Sequence, residues 1–330
     1  MQAVSSTTWP SHPELHPELR ILVVNPFAGL AGRDKVARAV ELLGLEGRAV
    51  REVGRDGSAR ALAAAAVRSR AGHIIAAGGD GTLHDVVQEV AGSATALGVI
   101  PLGTSNDLAG RLGIPRNLGA ACAVALGGAV DAVDLLAMDG ERIATVGGLG
   151  LPAAIARTCN ELRSSPAGRR LLAPLGSGIY SVVAASLILA RGARPSVYTL
   201  RPNGGAPAAL PAAALLVGLV DRFGGGMRLV EGGRLVPGTF AALVVSARGR
   251  SELLRVLLRL KLGRRVTRGA RLLTGLTRLD VRSADPVASF GDGEALGLRR
   301  RASITLERRA LRVLVPHSCL RPAAVYCEAV

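Results

Sequence analysis

Residues 78–82 of the chain, GGDGT, combine residue types that are suited to binding phosphate. They overlap the end of an apolar run, HIIAAGG (73–79), and precede a segment with helical periodicity. Glycines let the backbone approach a phosphate closely, and a helix N-terminus supplies N–H donors and the positive end of a dipole. Asp80 adds a carboxylate, which beside phosphate is suited to handling a metal ion or a proton. The structural alternative is an ordinary strand–helix turn with glycine at positive φ.

Two further polar loops follow apolar runs, NPFAG at Asn25–Gly29 and PLGTSNDLA at Pro101–Ala109. Ligands of open α/β sheets bind just beyond the carboxyl ends of the strands, where such loops lie. Each loop alone is typical of turns and helix caps. Together they would bring amide, hydroxyl and carboxylate groups to the same edge as Asp80, from Asn25, Thr104, Asn106 and Asp107. The chain has no GxxxxGKS/T motif, which excludes a P-loop enzyme.

The elements that must position these loops alternate between strand and helix. Apolar runs predict strands at 21–26, 48–53, 73–79 and 96–103, and helical periodicity predicts helices at 33–43, 58–70, 82–91 and 107–112. This alternation predicts a doubly wound, mostly parallel sheet. From 143 to 316, short apolar runs between Gly- or Arg-rich turns, with one helical insertion at 251–262, predict an antiparallel sandwich or barrel. The predicted fold class is therefore an α/β domain followed by a β-sandwich domain.

Composition narrows the class of partner. The 330 residues are 49% hydrophobic and only 2% aromatic, and 41 basic against 25 acidic residues give a net charge of +16. Such a charge favours anionic partners, namely phosphorylated small molecules, an anionic membrane face or nucleic acid. Nucleic acid is not expected, because base-stacking aromatic residues are scarce and no DNA-binding motif is present.

The sequence also predicts a cellular compartment. The four cysteines are scattered without a CxxC pair, which argues against a zinc ribbon or a disulfide scaffold and favours a reducing compartment. The N-terminus has no secretory signal. The uncharged segment Leu171–Ala190 is long enough for a transmembrane span, but Pro174, two glycines and three serines favour a buried helix. We therefore expect a cytoplasmic location.

The loops NPFAG, GGDGT and PLGTSNDLA together resemble, in order and spacing, the diacylglycerol kinase catalytic-domain family, which includes bacterial soluble lipid kinases and the sphingosine and ceramide kinases. NAD kinases share GGDGT but lack the PxGTxND segment. The resemblance runs from Arg20 to Pro316. It implies a nucleotide-binding α/β domain at 20–135, a β-sandwich lipid-substrate domain at 136–308 and a strand at 309–317 that returns to the first domain. A flexible leader at 1–19 and a tail at 318–330 are expected to flank them.

The same resemblance assigns roles to individual residues. It implies that ATP is the phosphoryl donor, with nucleotide contacts from Asn25, Gly78, Gly79, Gly81, Thr82, Leu83, His84 and Thr104. Asn106 and Asp107 are predicted to contact the acceptor. The late GDGE segment implies that Glu294 deprotonates the lipid hydroxyl. Asp80 is a second candidate, either to transfer a proton or to contact the Mg²⁺ ion that binds with the nucleotide. Without the resemblance, GDGE would be interpreted as a β-turn with an exposed acid.

Some positions depart from the family pattern. His84 and Asp85 replace the usual Asn-Glu, and this histidine is similar to that of the sphingosine-kinase branch. Leu219 replaces an asparagine, Val53 replaces a threonine that contacts the nucleotide, and Pro237 replaces an aspartate of a structural magnesium site. Proline has no side-chain ligand, so we predict that this second metal site is lost. These departures leave open a catalytically degenerate nucleotide- or lipid-binding regulator.

Basic residues and leucines alternate between 253 and 278. The commoner interpretation is an amphipathic helix packed on the sandwich with a solvated basic face. The functional interpretation is an interfacial segment held to anionic lipid. The basic residues of this stretch are Arg255, Arg259, Lys261, Arg264, Arg265, Arg268, Arg271 and Arg278.

These observations predict an ATP- and Mg²⁺-dependent lipid kinase that transfers the γ-phosphoryl group to a hydroxyl of diacylglycerol or a related lipid, such as a sphingoid base or ceramide. The predicted partner is a lipid substrate at an anionic membrane surface, which implies peripheral membrane association, and a homodimer stays open. The alternatives are a kinase for a soluble acceptor such as NAD or a polyol, and the degenerate regulator.

Overall fold

The computed structural model describes residues 15–27, 32–54, 57–165, 168, 173–192, 195–224, 226–229 and 235–319. Its first part alternates between strands and helices. The strands are β1 (His16–Val24), β2 (Val50–Glu52), β3 (Ala71–Gly78), β4 (Ala96–Pro101) and β5 (Ala129–Met138). The helices are α1 (Gly32–Leu43), α2 (Ala59–Arg68), α3 (Asp80–Val90), α4 (Asp107–Arg111) and α5 (Leu118–Gly127).

The second part is mainly strand. Its strands are β6 (Glu141–Ile143), β7 (Val146–Gly150), β8 (Ser196–Pro202), β9 (Ala208–Ala212), β10 (Ala214–Gly218), β11 (Arg222–Phe223), β12 (Met227–Arg228), β13 (Phe240–Val245), β14 (Ala270–Leu276), β15 (Arg278–Gly291) and β16 (Glu294–Val315). Its helices are α6 (Leu151–Ser164), α7 (Ile179–Arg191) and α8 (Arg250–Lys261). Short 3₁₀ turns lie at Gly47–Ala49, Ala173–Gly178 and His317–Cys319.

Most of the described strands belong to one continuous sheet. At one end β2, β1, β3 and β4 are parallel neighbours in that order. The strand β3 is buried along nearly its whole length, as expected of a parallel strand with helices packed on the sheet. The helix α2 packs on α3 and α1 packs on α5. These features confirm the doubly wound, mostly parallel α/β domain.

The other end of the sheet is antiparallel, with β14, β13, β10, β7, β15 and β16 following one another in that order. Successive residues of β10 point to opposite faces, because strand side chains alternate. Leu216 packs in a cluster that includes residues of α6, α7 and α8. Leu215 and Val217 pack in a separate cluster with Phe240 and Leu279 on the other face. This two-sided packing confirms the C-terminal β-sandwich.

The strand β16 connects the two parts of the sheet. Near its start it pairs with β15, where Glu294 lies opposite Gly291. Near its end Val313 lies opposite Leu97 of β4 in parallel register, and the antiparallel β5 pairs along its other edge. Leu311 and Val313 are therefore part of the first hydrophobic core. The predicted returning strand at 309–317 lies within this longer strand, and the predicted domain boundaries stay predictions.

Several elements differ from the sequence-based expectations. The first strand begins at His16, because its chain pairs with β3 from there, so residues 16–19 lie in a strand rather than in a leader. The sequence patterns did not predict α5 or α6. The remainder of the predicted leader (1–14), Ala28 and Gly29 of NPFAG and the tail from 320 onward lie outside the described residues.

The uncharged segment Leu171–Ala190 does not form one helix. A 3₁₀ turn at Ala173–Gly178 is interrupted at Gly176, where φ is 50°, and α7 begins only at Ile179. Leu171 and Leu172 lie outside the described residues. Within the part of the chain that the structure describes, none of the helices has the length and hydropathy needed to cross a membrane.

The predicted basic segment begins with α8, which is amphipathic. Leu253, Val256 and Leu260 are buried against the sandwich, while the eight basic residues between 255 and 278 are exposed. The helix also exposes Leu258 by 58% and is followed by Leu262, which is exposed by 56%. The helix α8 is therefore packed on the sandwich with an outer face that is both basic and apolar, whereas Arg271 lies in β14 and Arg278 in β15.

Candidate functional site

A polar cavity of about 730 Å³ lies at the carboxyl ends of β1, β3 and β4, and the turn between β15 and β16 closes its far side. Eight of the twelve predicted site residues line it. These are Asn25, Gly79, Asp80, Gly81, Thr82, His84, Thr104 and Glu294. The long strand pair β15–β16 thus brings Glu294 to loops that precede it by about two hundred residues, an encounter that the spacing of the motifs alone does not show.

Two predicted nucleotide contacts lie behind the cavity wall. The side chain of Leu83 is only 1% exposed and packs in the first hydrophobic core. A Cβ on Gly78 would lie 2.5 Å from Cβ of Thr82, so this glycine lets the first turn of α3 pack against β3. Neither residue lines the polar cavity, and the direct nucleotide contacts expected of them stay predictions.

The phosphate loop itself has the geometry of an anion site. Gly79 is the N-cap of α3, and no side chain caps the first turn of this helix. Asn25 Nδ2 donates to Thr82 Oγ1 at 3.0 Å, which ties the loop after β1 to α3. A Cβ on Gly103 would lie 2.6 Å from Cα of Gly79, so the two loops touch backbone to backbone. Backbone N–H groups at this helix start can therefore face a ligand.

Asp80 holds the loop after β4 in place. Its Oδ2 accepts the N–H of Asn106 at 3.0 Å, and its Oδ1 accepts the N–H of Asp107 at 2.9 Å. The carboxylate thus supplies the N-terminal cap of the short helix α4. Burial raises the pKa of Asp80 above its usual range, although these two hydrogen bonds oppose the shift. The predicted proton or metal role of Asp80 would have to coexist with this capping role.

Neither Asn106 nor Asp107, the predicted acceptor contacts, lines the polar cavity, but Asp107 lines the adjoining apolar cavity described below. The Asn106 amide bonds back to its own loop, with Oδ1 accepting from Gly103 N–H at 2.9 Å and Nδ2 donating to Gly103 O at 2.8 Å. Asn106 therefore shapes the loop. Asp107 accepts the N–H of Gly224 at 3.2 Å, and burial together with the charge of Asp80 raises its pKa to about 7.

His84 belongs to a buried network centred on Asp292. Its Nδ1 lies 3.2 Å from Asp292 Oδ2, which also accepts the N–H of Ala144 at 2.9 Å. The other oxygen, Oδ1, accepts the N–H of Thr145 at 2.7 Å and its hydroxyl at 2.6 Å. Burial opposes ionisation of Asp292, but His84 and these donors outweigh it and lower its pKa. Burial likewise opposes protonation of His84, but Asp292 outweighs it and raises the pKa of the imidazole.

Glu294 follows this network at the start of β16. Asn160 Nδ2, from α6, donates to Gly293 O at 2.9 Å and to Glu294 Oε2 at 3.3 Å. Burial is the largest influence on Glu294 and raises its pKa above the usual range for glutamate. A buried carboxylate with a raised pKa at a cavity wall is suited to accepting a proton.

Sequence reasoning missed the side chains that α6 and α7 bring to the cavity, namely Asn160, Arg163 and Tyr180. Arg163 Nη1 donates to the Tyr180 hydroxyl at 2.9 Å, and its guanidinium carbon lies 4.9 Å from the centre of the Tyr180 ring. The signal that could have found α6 is Pro152 at the start of a helix-spaced apolar pattern.

A second cavity, of about 110 Å³, is mostly apolar and adjoins the first. Both cavities are lined by Asp80, Tyr180, Asp292 and Gly293. From that junction the second cavity extends between the sheet and the three helices of the sandwich. Its apolar lining includes Leu151, Ile155 and Ala156 of α6, Ala184 and Ile188 of α7, and Leu253, Val256, Leu257 and Leu260 of α8.

The residues of the polar cavity fit the phosphates of a nucleotide. The uncapped start of α3 and the glycine backbone supply donors, as phosphate loops require. Within the described ranges, no group of three His, Cys, Asp or Glu side chains is arranged to hold a metal ion. Asp80 stays the predicted protein contact for a Mg²⁺ ion that binds with the nucleotide.

Comparisons with known proteins identify families that match both parts of this architecture. The model of the diacylglycerol kinase catalytic domain matches residues 20–138. The model of the YegS C-terminal NAD kinase beta sandwich-like domain matches residues 150–315, which is half of the chain. A crystal structure of a diacylglycerol kinase from Bacillus anthracis str. Sterne has a TM-score of 0.67 and 17% identity, covering 91% of this chain and 98% of that one. This likeness shows the fold.

Curated relatives match over shorter segments. A "Probable lipid kinase YegS-like" of Chromohalobacter salexigens is 31% identical over 202 residues, which cover 60% of this chain and 61% of the relative. A protein of the same name from Pectobacterium atrosepticum is 33% identical over 123 residues, which cover 36% of this chain and 40% of the relative. The matches thus span less than two thirds of these relatives. The two domain models together show that the chain belongs to the lipid kinase family that joins a diacylglycerol kinase catalytic domain to a YegS-type β-sandwich.

Proposed function

We propose that this protein is an ATP-dependent lipid kinase that phosphorylates a hydroxyl group of diacylglycerol or a related lipid. The observation that supports this most directly is the apolar cavity that adjoins the polar one at Asp80, Tyr180, Asp292 and Gly293. A lipid could place its chain in the apolar cavity and its hydroxyl at the junction. The nucleotide would occupy the polar cavity, with its phosphates at the start of α3.

The proposed transfer uses Glu294 as the base. As the acceptor oxygen forms its bond to the γ-phosphorus, the hydroxyl proton passes to the Glu294 carboxylate and the bond to the ADP oxygen breaks. Asn160 orients Glu294 through its amide. Mg²⁺ would neutralise charge on the phosphate oxygens when bound. The loops at Gly79 and Gly103 hold the donor, and Asp80 fixes the loop after β4 beside it.

The apolar lining also bears on the alternative acceptors. NAD and polyols are polar, and they would gain little from a chamber lined by leucine, isoleucine and alanine side chains. A lipid chain transferred from water to this chamber gains roughly 25 cal/mol per Å² of apolar surface buried. The cavity therefore favours a lipid over a soluble acceptor.

We further propose that the protein meets its substrate at an anionic membrane surface through α8. The inner face of this helix lines the apolar cavity, while Leu258 and Leu262 and the surrounding basic residues face outward. Basic residues near an anionic bilayer contribute up to about 1 kcal/mol each. A lipid leaving the bilayer beside α8 would have only a short distance to travel to the cavity.

The test is a phosphorylation assay with radiolabelled ATP. One arm contains vesicles of a mixed lipid extract, the other contains NAD and a polyol, and labelled products are identified by mass spectrometry. We expect label in a lipid, and Ala156→Leu, which narrows the apolar cavity, should reduce that labelling without changing ATP affinity. Label only in a soluble acceptor would overturn the proposal, and ATP binding with no labelled product would support the degenerate regulator.

A further inference from the structure

Three arginines line the polar cavity, and two of them are already paired with acids. Arg60 contacts Glu89 at 2.8 Å and Glu141 at 3.6 Å. Arg299 contacts Asp139 at 2.7 Å. Arg163, by contrast, forms no ion pair with any residue in the described part of the chain. Its charge acts on the carboxylates of Asp80, Asp107 and Glu294 without forming an ion pair with any of them, so the guanidinium can still bind a ligand of the cavity.

The atom that makes Arg163 unusual is Nη2. This nitrogen is buried and has no hydrogen-bond partner among the described residues. A buried charged donor without an acceptor is unfavourable, so such atoms in native structures are commonly satisfied by a ligand or an ion. The unmet hydrogen bond points to an anionic oxygen that this structure does not contain.

The guanidinium is nevertheless held in a fixed orientation. Its Nη1 donates to the Tyr180 hydroxyl, and its central carbon lies over the Tyr180 ring. Burial raises the pKa of Tyr180 to about 12, so the hydroxyl stays neutral and accepts this bond. Tyr180 lines both cavities, which places Arg163 close to their junction. Three residues earlier on α6, Asn160 reaches Gly293 and Glu294, so one face of α6 presents both side chains to the reacting groups.

We propose that Arg163 Nη2 binds the γ-phosphoryl group while it passes from the nucleotide to the acceptor hydroxyl. This inference rests on the proposed kinase function and adds to it a residue that contacts the reacting group. The transferring phosphoryl group has charged equatorial oxygens, and a guanidinium can bind them without blocking the in-line oxygens. Arginines in this position contribute roughly 10³–10⁵-fold to kcat in other phosphoryl transferases.

The experiment compares Arg163→Gln and Arg163→Lys with wild type. Binding of ATP and of ADP is measured by calorimetry, and kcat and the KM of the lipid are measured in mixed vesicles. For Arg163→Gln we expect kcat to fall by at least about 10²-fold, ATP to bind more weakly and ADP to bind as in wild type. Arg163→Lys should recover part of kcat, because it keeps the charge but loses the planar fork.

Matched variants separate this role from a structural one. Arg157→Gln removes an exposed arginine of the same helix, which pairs with Glu161, and should leave every parameter unchanged. Tyr180→Phe keeps the ring and removes only the hydroxyl that orients Arg163, so its kcat should lie between those of wild type and Arg163→Gln.

Several outcomes would overturn the proposal. For Arg163→Gln, one is an unchanged kcat, and another is an equal loss of ATP and ADP binding with a lowered Tm. The third is a rise in the KM of the lipid alone, which would assign Nη2 to the lipid headgroup. If wild type phosphorylates no lipid, the proposed function fails but the difference between ATP and ADP binding still tests the Arg163 contact.

Discussion

The carboxylate of Glu294 lies directly against the backbone of Gly81. A Cβ on Gly81 would lie 2.5 Å from Glu294 Oε1, closer than such contacts occur in proteins. The third glycine of the phosphate loop therefore makes room for the Glu294 carboxylate. The phosphate loop and the proposed base, Glu294, are therefore in contact at Gly81.

Gly81→Ala should accordingly lower kcat by displacing Glu294. A displacement of about 1 Å in a reacting group can reduce the rate by about 10²-fold, and we expect a loss of that order. Thermal unfolding should change little, because the glutamate side chain can move aside. Gly110→Ala is the matched control, since a Cβ there meets nothing within 4 Å. Equal kcat values for the two variants would show that the Gly81 contact does not matter.

Glu294→Gln should lower kcat by about 10²–10⁴-fold with little change in ATP affinity, as expected when a general base is lost. Wild-type kcat should also fall as pH decreases through the raised pKa of Glu294, because protonation removes the base. That decline should lie at higher pH than for an ordinary glutamate and should be absent in the variant. A variant with near-wild-type turnover would remove Glu294 from the mechanism.

The His84–Asp292 pair predicts a pH dependence of stability. The pKa of His84 is raised in the folded protein, so its contribution is complete below its unfolded value near 6.5 and is lost as pH rises through the folded value. Asp292 has a lowered pKa and stays ionised over this range.

The free energy of unfolding should therefore decline as pH increases above 6.5. Urea titrations of wild type and His84→Gln would measure it, and the decline should be smaller in the variant. The exposed His317, changed to Gln, serves as the control. Parallel pH profiles for wild type and His84→Gln would contradict the assigned ion pair.

The outer face of α8 predicts salt-sensitive binding to anionic vesicles. Changing Arg255, Arg264 and Arg268 to Glu should weaken co-sedimentation with such vesicles, because all three are exposed, the first on α8 and the other two just after it. Binding of wild type should fall as salt shortens the Debye length from ~10 Å at 0.1 M to ~3 Å at 1 M.

The matched control for this experiment changes Arg48, Arg51 and Arg68 to Glu. These arginines are equally exposed but belong to the first domain, whose strand β2 lies at the opposite end of the sheet from β14. An equal loss of binding in both triple variants would indicate a general effect of net charge and would refute a specific role for α8.

The strands β1, β3 and β4 were predictable because each is an apolar run ended by a glycine or a polar turn, whereas β5 was not predicted. The predicted run 73–79 and the observed β3 at Ala71–Gly78 differ by two residues at the start and by one at the end. The missed helix α6 begins at Leu151, immediately after β7, so no polar linker separates the two patterns. Because α6 was not predicted, Asn160 and Arg163 were absent from the predicted site.

The roles of residues that depend on long-range packing could not be predicted from the sequence. Asp292 was noted only as part of GDGE, yet it bonds to His84, Ala144 and Thr145 from distant parts of the chain. Asn106 stands in a conspicuous motif, but its amide is used within its own loop. The residue type predicted polarity at these positions, and only the fold determined which partner each side chain meets.

The path of β16 also constrains how the protein can be made. On the ribosome, N-terminal domains usually fold first, while the rest of the chain is still being synthesised. Here β4 and β5 lack the strand between them until residues 311–315 have emerged, because these residues pair with β5 and Val313 also pairs with β4. Until then the first part of the nascent chain has open strand edges, which are sites of aggregation. Synthesis of nearly the whole chain has to precede completion of its first core, and chaperones that shield strand edges should matter for its yield in the cell.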